Sequence, residues 1–273
     1  MTASLRESRF PSELAFDSIA ESYDETFTRS VIGRAQRAQV WRALASTFKK
    51  GDSVLELNCG TGEDALFLAR RGVSVLACDV SGEMIRIARQ RHAAEVPRLP
   101  VRFEQLANEE LHLLESHAVF EGVFSNFSGM NCVADLRGVA RQMAQHMAVG
   151  APALLCMSTR ICAWDTLWYL GHGEPRRAFR RWPGEAKATV NGYELQVKYP
   201  TVRELRWLFA PWFALRSYVG IGVFVPPSYG EAWAEKNGGL LAVLSRLDRL
   251  FGHAPGLRVL GDHVLLHFER TVV

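Results

Sequence analysis

The sequence predicts an α/β protein: a seven-stranded, mostly parallel sheet with helices on both faces and an insertion after strand five. Three observations carry this prediction. Between residues 53 and 158, short β-rich runs alternate with helical patterns, which is the mark of βαβ units with right-handed crossovers. The first strand, "SVLELN", ends in a Gly-x-Gly turn, and the second ends in an acid. Two further strand patterns, 214–225 and 262–271, close the chain after a break of roughly 40 residues.

The elements follow in order. "SVLELN" (53–58) reads as strand one, and "GEDALFLARRG" as a helix with Thr61 as N-cap and Gly72 as its stop. "VSVLACD" (73–79) is strand two, followed by a helix opened by Ser81. "VRFEQL" (101–106) and "FEGVFSNF" (120–127) are strands three and four, "ADLRGVARQMAQHM" is a helix, and "APALLCMS" (151–158) is strand five. The insertion, 160–200, is aromatic and basic. It contains a hairpin signal at "KATVNGYELQV", where Asn191-Gly192 suits a type I′ turn. Thr201 and Glu204 have capping-box spacing at the next helix. Ahead of the sheet, Phe16, Ile19, Ala20 and Tyr23 fall at i, i+3, i+4 and i+7, one apolar stripe on a helix. The expected division of a single domain, 1–273, is an N-terminal helical lid (1–50), a core (51–159), the insertion (160–200) and a closing helix with strands (201–273).

Composition bounds the function. At 48% hydrophobic and 22% charged residues, with mean hydropathy near zero, this is an ordinary globular chain. A formal charge of +3 is too weak to argue for nucleic acid, which demands a concentrated basic face. The five cysteines form no CxxC pair, which points to reduced thiols and a cytoplasmic location. No apolar run reaches the ~18 residues of a membrane span.

In a parallel sheet, ligands bind beyond the carboxyl ends of the strands. Asn58-Cys59-Gly60-Thr61-Gly62 lies at that edge, where glycines allow close backbone approach. Asp79, 17 residues after Gly62, is placed to accept hydrogen bonds from both hydroxyls of a ribose. A dinucleotide site wants G-x-G-x-x-G/A, and from Gly60 only Ala65 fills the third place. Its pyrophosphate would also sit beside Glu63 and Asp64, which repel it. A cofactor with a cationic amino group and a sulfonium suits this acidic edge better.

Together, "VLELNCGTGED", "LACDVSGEMIRIAR" and "FEGVFSNFSGMNCV" resemble the motifs of the class I S-adenosylmethionine-dependent methyltransferases. "FDSIAESYDETF" (16–27) resembles the N-terminal helix of the ubiquinone- and menaquinone-biosynthesis type and related small-molecule enzymes. The resemblance covers residues 15 to about 158 and implies a Rossmann-like sheet with one antiparallel strand. It implies that Glu56 helps hold the methionine amino group and that Gly60 and Gly62 line the amino-acid moiety. Asp79 takes the ribose hydroxyls, with Val80 beside it, and Met84 packs on adenine. Asn126 and Phe127 face the transferring methyl, and Tyr23 closes over the cofactor. The sequence departs from the family at Asn58, which replaces the first motif glycine but tolerates unusual backbone angles. It departs again after strand three, where Ala107 or Asn108 stands in for the family's adenine-binding acid.

The sulfonium is an activated leaving group, so direct in-line displacement needs alignment more than acid catalysis. No metal set is visible among the scattered histidines, and the Asn/Asp-Pro-Pro signature of nucleic-acid amino methyltransferases is missing after strand four. If a base is used, His172 and Tyr169 in the insertion are the candidates; His263 and His267 read as structural strand residues. Met130, Trp164, Trp168 and Tyr169 are the candidate substrate wall, and Arg176, Arg177, Arg180 and Arg181 read as a solvated face. The expected product is S-adenosylhomocysteine, and the expected acceptor a small or lipid-like, largely apolar or aromatic molecule. No nucleic-acid partner is expected, and the chain is taken as monomer or homodimer. Two other readings remain at this level: an RNA- or protein-modifying methyltransferase, and a non-catalytic S-adenosylmethionine-binding protein.

Overall fold

The computed structural model describes residues 10–115 and 118–272; residues 1–9 of the expected lid lie outside them. In chain order the strands are β1 (Ser53–Leu57), β2 (Ser74–Asp79), β3 (Val101–Gln105), β4 (Gly122–Ser125) and β5 (Pro152–Met157). The insertion hairpin, β6 (Glu185–Val190) and β7 (Tyr193–Lys198), pairs by itself, and β8 (Phe213–Ile221) and β9 (His263–Arg270) complete the main sheet. The main sheet has the order β3-β2-β1-β4-β5-β9-β8. Only β9 runs antiparallel, against both β5 and β8. Because Met157, the last residue of β5, pairs with Val264, β9 begins at the edge where the parallel strands end.

Strand alternation divides the core into two layers. Leu55 and Leu57 point to the face covered by α6 (Leu136–Gln145) and α9 (Val202–Phe209). Val54 points to the other face, packed by α3 (Val31–Thr47), α4 (Glu63–Ala69) and α5 (Gly82–Ala93). Truncating a fully buried leucine in either layer costs about 2–5 kcal/mol.

Most helix starts follow the expected chemistry. The Ser81 hydroxyl accepts the Met84 amide, and Thr201 and Glu204 form the full capping box. The cap of α4 differs: Gly62 occupies that position at φ +81°, and the Thr61 hydroxyl instead donates to Asp24 Oδ1 at 2.7 Å. The N-terminal stripe is also broken. α1 (Pro11–Asp17) ends before Ile19, and α2 (Ala20–Tyr23) runs into a π-helical turn over Asp24–Thr28. The expected lid therefore divides in two. Residues 11–28 reach the strand ends, whereas α3 buries Val40 and Leu44 in the core.

Within the insertion, Asn191 (φ +46°) and Gly192 (φ +90°) make the two-residue turn that a I′ hairpin requires. β7 packs against α1, and the Asn191 side chain donates to the Ser18 carbonyl at 3.2 Å. The aromatic helix α7 (Ala163–Gly171) and the short α8 (Pro175–Ala178) sit against each other.

Candidate functional site

The carboxyl ends of β1, β2 and β4 open into a cleft roofed by the N-terminal segment. Its floor is the β1–α4 turn. Gly60 adopts φ +52°, and a Cβ there would point at the Tyr23 ring 3.9 Å away, so its bare backbone faces the cleft. Asn58 adopts φ +57°, a conformation asparagine tolerates better than most residues. Its amide donates to Ser125 Oγ at 2.9 Å and accepts from Asn108 Nδ2 at 2.8 Å, tying the end of β1 to β4 and to the β3 loop.

Asp79 ends β2 inside this cleft. Its Oδ2 accepts the Gly60 amide at 2.8 Å and its Oδ1 the Ser81 amide at 2.9 Å. Burial pushes its carboxyl up to about 6, against the lowering effect of these amide donors. Val80, Met84 and Asn108 continue the wall, and Tyr23, Asn126 and Phe127 complete it. Burial raises the Tyr23 phenol to about 12, so it remains a hydrogen-bond donor. Phe127 and Ser128 both adopt positive φ, at +45° and +67°. Such non-glycine positions cost of order 1–3 kcal/mol each and cluster at functional sites.

Three residues expected at the cofactor are absent from the cleft wall. Gly62 is a packing glycine: a Cβ would meet Phe103 at 2.8 Å and Ala88 at 3.0 Å. Ala107 is buried behind Asn108. Glu56 points, by strand alternation, to the layer of Val54, and Arg37, Asp64 and Asp79 are the charges that act on it. Its Oε2 is buried without a partner, and burial holds its carboxyl well above the usual carboxylate range. The cation that makes acids tolerable behind the glycine turn is Arg37. Its Nη1 pairs with Asp64 Oδ2 at 2.9 Å, and Asp64 also receives Trp41 Nε1 and Asn126 Nδ2. The Arg37 guanidinium lies over the Phe27 and Phe127 rings, 5.8 and 5.1 Å from their centroids.

Ser12, Phe16, Glu109, Gly129, Cys132 and Val133 also line the cleft. Phe16 was legible as part of the apolar stripe; Ser12 lies on the same helix α1, and the others reach the cleft on or beside short 3-10 turns that periodicity does not read.

Of the residues expected at the substrate, Met130 is core, fully buried among Leu57, Val139 and Met157. Trp168 stacks on His172 (4.6 Å) and on Tyr229 (5.2 Å), away from the cleft lining. Tyr169 sits beneath Arg177 and Arg180 at 5.4 Å, and Trp164 is half-buried on the same helix. His172 is exposed, with Nδ1 2.7 Å from the Trp168 carbonyl at the helix end. The solvated arginine face is corrected too: Arg181 is buried. It donates to Asp165 Oδ2 (2.8 Å), to the Asp262 carbonyl (2.9 Å) and to Asp262 Oδ1 (2.8 Å). These partners turn a basic run into an internal tie between α7 and β9.

That tie bears on a histidine read as structural. His263, the first residue of β9, packs edge-on against Phe127 with centroids 5.4 Å apart, one ring beyond the cleft wall. Its Nδ1 lies 3.4 Å from Asp262 Oδ2. Burial depresses its imidazole, opposed by Asp262 and helped by Arg181, which keeps it neutral. The signal available in the sequence was the Asp-His pair opening a strand. His267 lies four residues along, paired across from Leu154 and distant from the strand ends. Among the described residues, no group of three or more metal-ligating side chains forms.

Comparison with known proteins agrees with this geometry. Residues 54–150 match the methyltransferase-domain family. The demethylmenaquinone methyltransferase of Thermobifida fusca is 30% identical over 141 residues, covering 52% of this chain and 58% of that protein. The 2-phytyl-1,4-naphtoquinone methyltransferase of Trichormus variabilis is 36% identical over 89 residues, 30% of this chain and 38% of that protein. The tRNA 5-carboxymethoxyuridine methyltransferase of Escherichia coli is 30% identical over 120 residues, 40% and 46%. The chain thus spans less than two thirds of the length of these curated relatives. Among solved structures, a putative S-adenosylmethionine-dependent methyltransferase from Listeria monocytogenes superposes with TM-score 0.57 at 15% identity, over 86% of this chain and all of that one. The geranyl diphosphate C-methyltransferase of Streptomyces coelicolor, solved with S-adenosylhomocysteine, gives 0.56 at 15%, over 86% and 79%. These likenesses show the fold.

Proposed function

We propose, from the premise that residues 54–150 are a class I S-adenosylmethionine-dependent methyltransferase domain, that the protein transfers a methyl group to a small, largely apolar or aromatic acceptor in the cytoplasm. The observation that carries this reading is the pairing of the bare Gly60 backbone with the Asp79 carboxylate in one cleft. The residues present suit the cofactor. Each Asp79 oxygen keeps a lone pair for a ribose hydroxyl after accepting its backbone amide, and Met84 and Val80 offer an apolar wall for a purine. When bound, S-adenosylmethionine supplies a methyl group already activated on sulfonium.

The chain's own part is alignment and exclusion of water. Phe16 and Tyr23 close the cleft from α1 and α2, and Phe127 presents a ring at the end of β4. Orientation of this kind contributes as much as ~7–11 kcal/mol to a two-reactant step. His263, neutral beside Phe127, is the candidate to accept a proton from an acceptor O–H, N–H or S–H; Asp262, itself held by Arg181, lies 3.4 Å from its Nδ1. The quinone-related names of the relatives support a small aromatic acceptor. Incubation with S-adenosylmethionine and extracted host metabolites tests the reading: a product heavier by one methylene, with S-adenosylhomocysteine formed, is expected. The tRNA-modifying relative favours a second reading, and methyl label transferred to RNA instead of metabolites would select it.

A further inference from the structure

The last long helix, α11 (Gly238–Phe251), packs on α3 yet leaves an apolar stripe uncovered. Leu240, Val243, Leu250 and Phe251 are 49%, 52%, 67% and 45% exposed. On a helix these positions share one arc, spaced i, i+3, i+10 and i+11, with the half-buried Leu247 between them. A contiguous apolar stripe of this size marks an interaction surface more often than chance.

The exposed charges of α3 and α11 themselves have one sign, while α10 (Glu231–Lys236), which packs on both, adds the exposed pair Glu235 and Lys236. α3 contains no acidic residue, and the only acid of α11, Asp248, is buried and held by Gln39 and the Phe224 and Val225 amides. The exposed charged residues of the two helices are Arg34, Arg42, Arg246 and Arg249. Among the described residues, none of the four side chains has an ion pair or hydrogen bond of the kind Arg70 makes with Glu95. Arg42, Arg249 and His253 converge on one groove between the helices and β8, and Arg249 and partial burial together lower the Arg42 guanidinium. Asp248 also lines this groove, but its carboxyl is held by Gln39 and the Phe224 and Val225 amides and makes no ion pair with either arginine, so an anion in the groove would relieve the repulsion between the two cations. In a chain of formal charge +3, such a face reflects asymmetry of placement and not overall basicity.

We propose that the α3–α11 face docks on an anionic phospholipid membrane, with Arg42 and Arg249 at the headgroup phosphates and Val243, Leu250 and Phe251 in the acyl boundary. No helix among the described residues is long and apolar enough to cross a membrane, so this is attachment in the plane of the interface. Interfacial helices of this type combine an apolar stripe with flanking arginines, and each basic residue near an anionic surface is worth about fivefold in affinity. The inference stands apart from the methyl-transfer reading, since none of these residues lines the cofactor cleft.

Flotation of the full chain with vesicles of phosphatidylcholine, with and without phosphatidylglycerol, tests it. Wild-type protein should float only with the phosphatidylglycerol vesicles and be released by salt. The double variant Arg42→Gln/Arg249→Gln should bind more than tenfold more weakly, and Leu250→Ser should also lose binding, with circular dichroism unchanged in each. Arg42→Gln alone, at an exposed side chain, covers the case in which the double variant fails to fold. Absence of binding to phosphatidylglycerol vesicles, or equal binding to neutral ones, overturns the proposal. So does a wild-type dimer in light scattering that Leu250→Ser converts to monomer, because the stripe is then an interface between two copies.

Discussion

Asp79 Oδ2 accepts the amide of Gly60 at 2.8 Å, so the acid ending β2 and the glycine turn ending β1 form one unit before any ligand arrives. A ribose bound there as proposed would meet a carboxylate already oriented by backbone, at the cost of keeping a charge in a buried place. Asp79→Ala should weaken S-adenosylhomocysteine binding by ~1–3 kcal/mol, as paired hydroxyl contacts to a carboxylate are lost. Calorimetric titration measures it.

The same carboxyl gives binding a pH dependence. With Asp79 raised to about 6, the folded chain holds a proton through the window between its ordinary value of 3.8 and about 6. Ionising it costs ligand-free stability as pH rises through that window, and hydroxyl donors return part of that cost on binding. Affinity should therefore fall as pH drops below about 6. One unit below, only about a tenth of the carboxyl is ionised, so the fall is roughly tenfold. Asp79→Asn should bind weakly at every pH and lose this dependence.

Glu56 behaves as a buried acid whose Oε2 has no hydrogen-bond partner, with Arg37 opposing burial only in part. Its folded-state value lies well above 4.5, so the wild-type chain loses stability as pH rises from the ordinary glutamate range toward that value. Glu56→Gln removes this loss. Its stability relative to wild type should climb with pH, by at most about 1.4 kcal/mol per unit, read as a growing difference in melting temperature. A pH-independent difference would mean that Glu56 is ionised in the folded chain, paired with Arg37.

The N-terminal segment is predicted to close on its ligand. Tyr23 and Phe16 line the cleft, yet α1 and α2 are short and joined by a bend at Ser18–Ile19. Tryptic cleavage at exposed Arg29 should slow several-fold with S-adenosylhomocysteine, and Tyr23→Ala should abolish that protection while Tyr23→Phe retains it. Equal cleavage with and without ligand would make the segment a fixed wall.

How much of this was legible depended on which force fixes each residue. The sheet was readable because β-rich runs and capping residues such as Ser81 and Thr201 act within a few positions. Nine of the twelve cofactor positions reached the cleft, since a motif at a strand end fixes a backbone path as well as side chains. Glu56 and Gly62 lie outside the cleft lining. Strand alternation turns Glu56 into a core layer, and the Phe103 and Ala88 contacts claim Gly62 for packing. The insertion was read least well. Its aromatic stripe at Trp168 and its arginines carry strong local patterns, but the partners that decide their roles, Tyr229 and Asp262, lie 60 and more residues away.

That distance sets the last prediction, which separates two histidines. His172 is exposed at the end of α7 and bonds only its own helix, whereas His263 packs on Phe127 with Asp262 at Nδ1. His263→Gln should lower kcat by ~10²–10⁴, the usual contribution of a positioned base, while S-adenosylhomocysteine affinity stays within about twofold. His172→Gln should leave kcat unchanged, and Trp168→Ala, removing an aromatic contact outside the cleft, should do the same. Burial lowers His263 below 6.5, with Asp262 and Asp165 opposing and Arg181 assisting, so at saturating cofactor kcat should rise with pH through a value below 6.5 and then level. In His263→Gln that limb should vanish. A variant that keeps both its rate and its acid limb would reduce His263 to a packing residue behind Phe127 and leave the acceptor's proton to solvent.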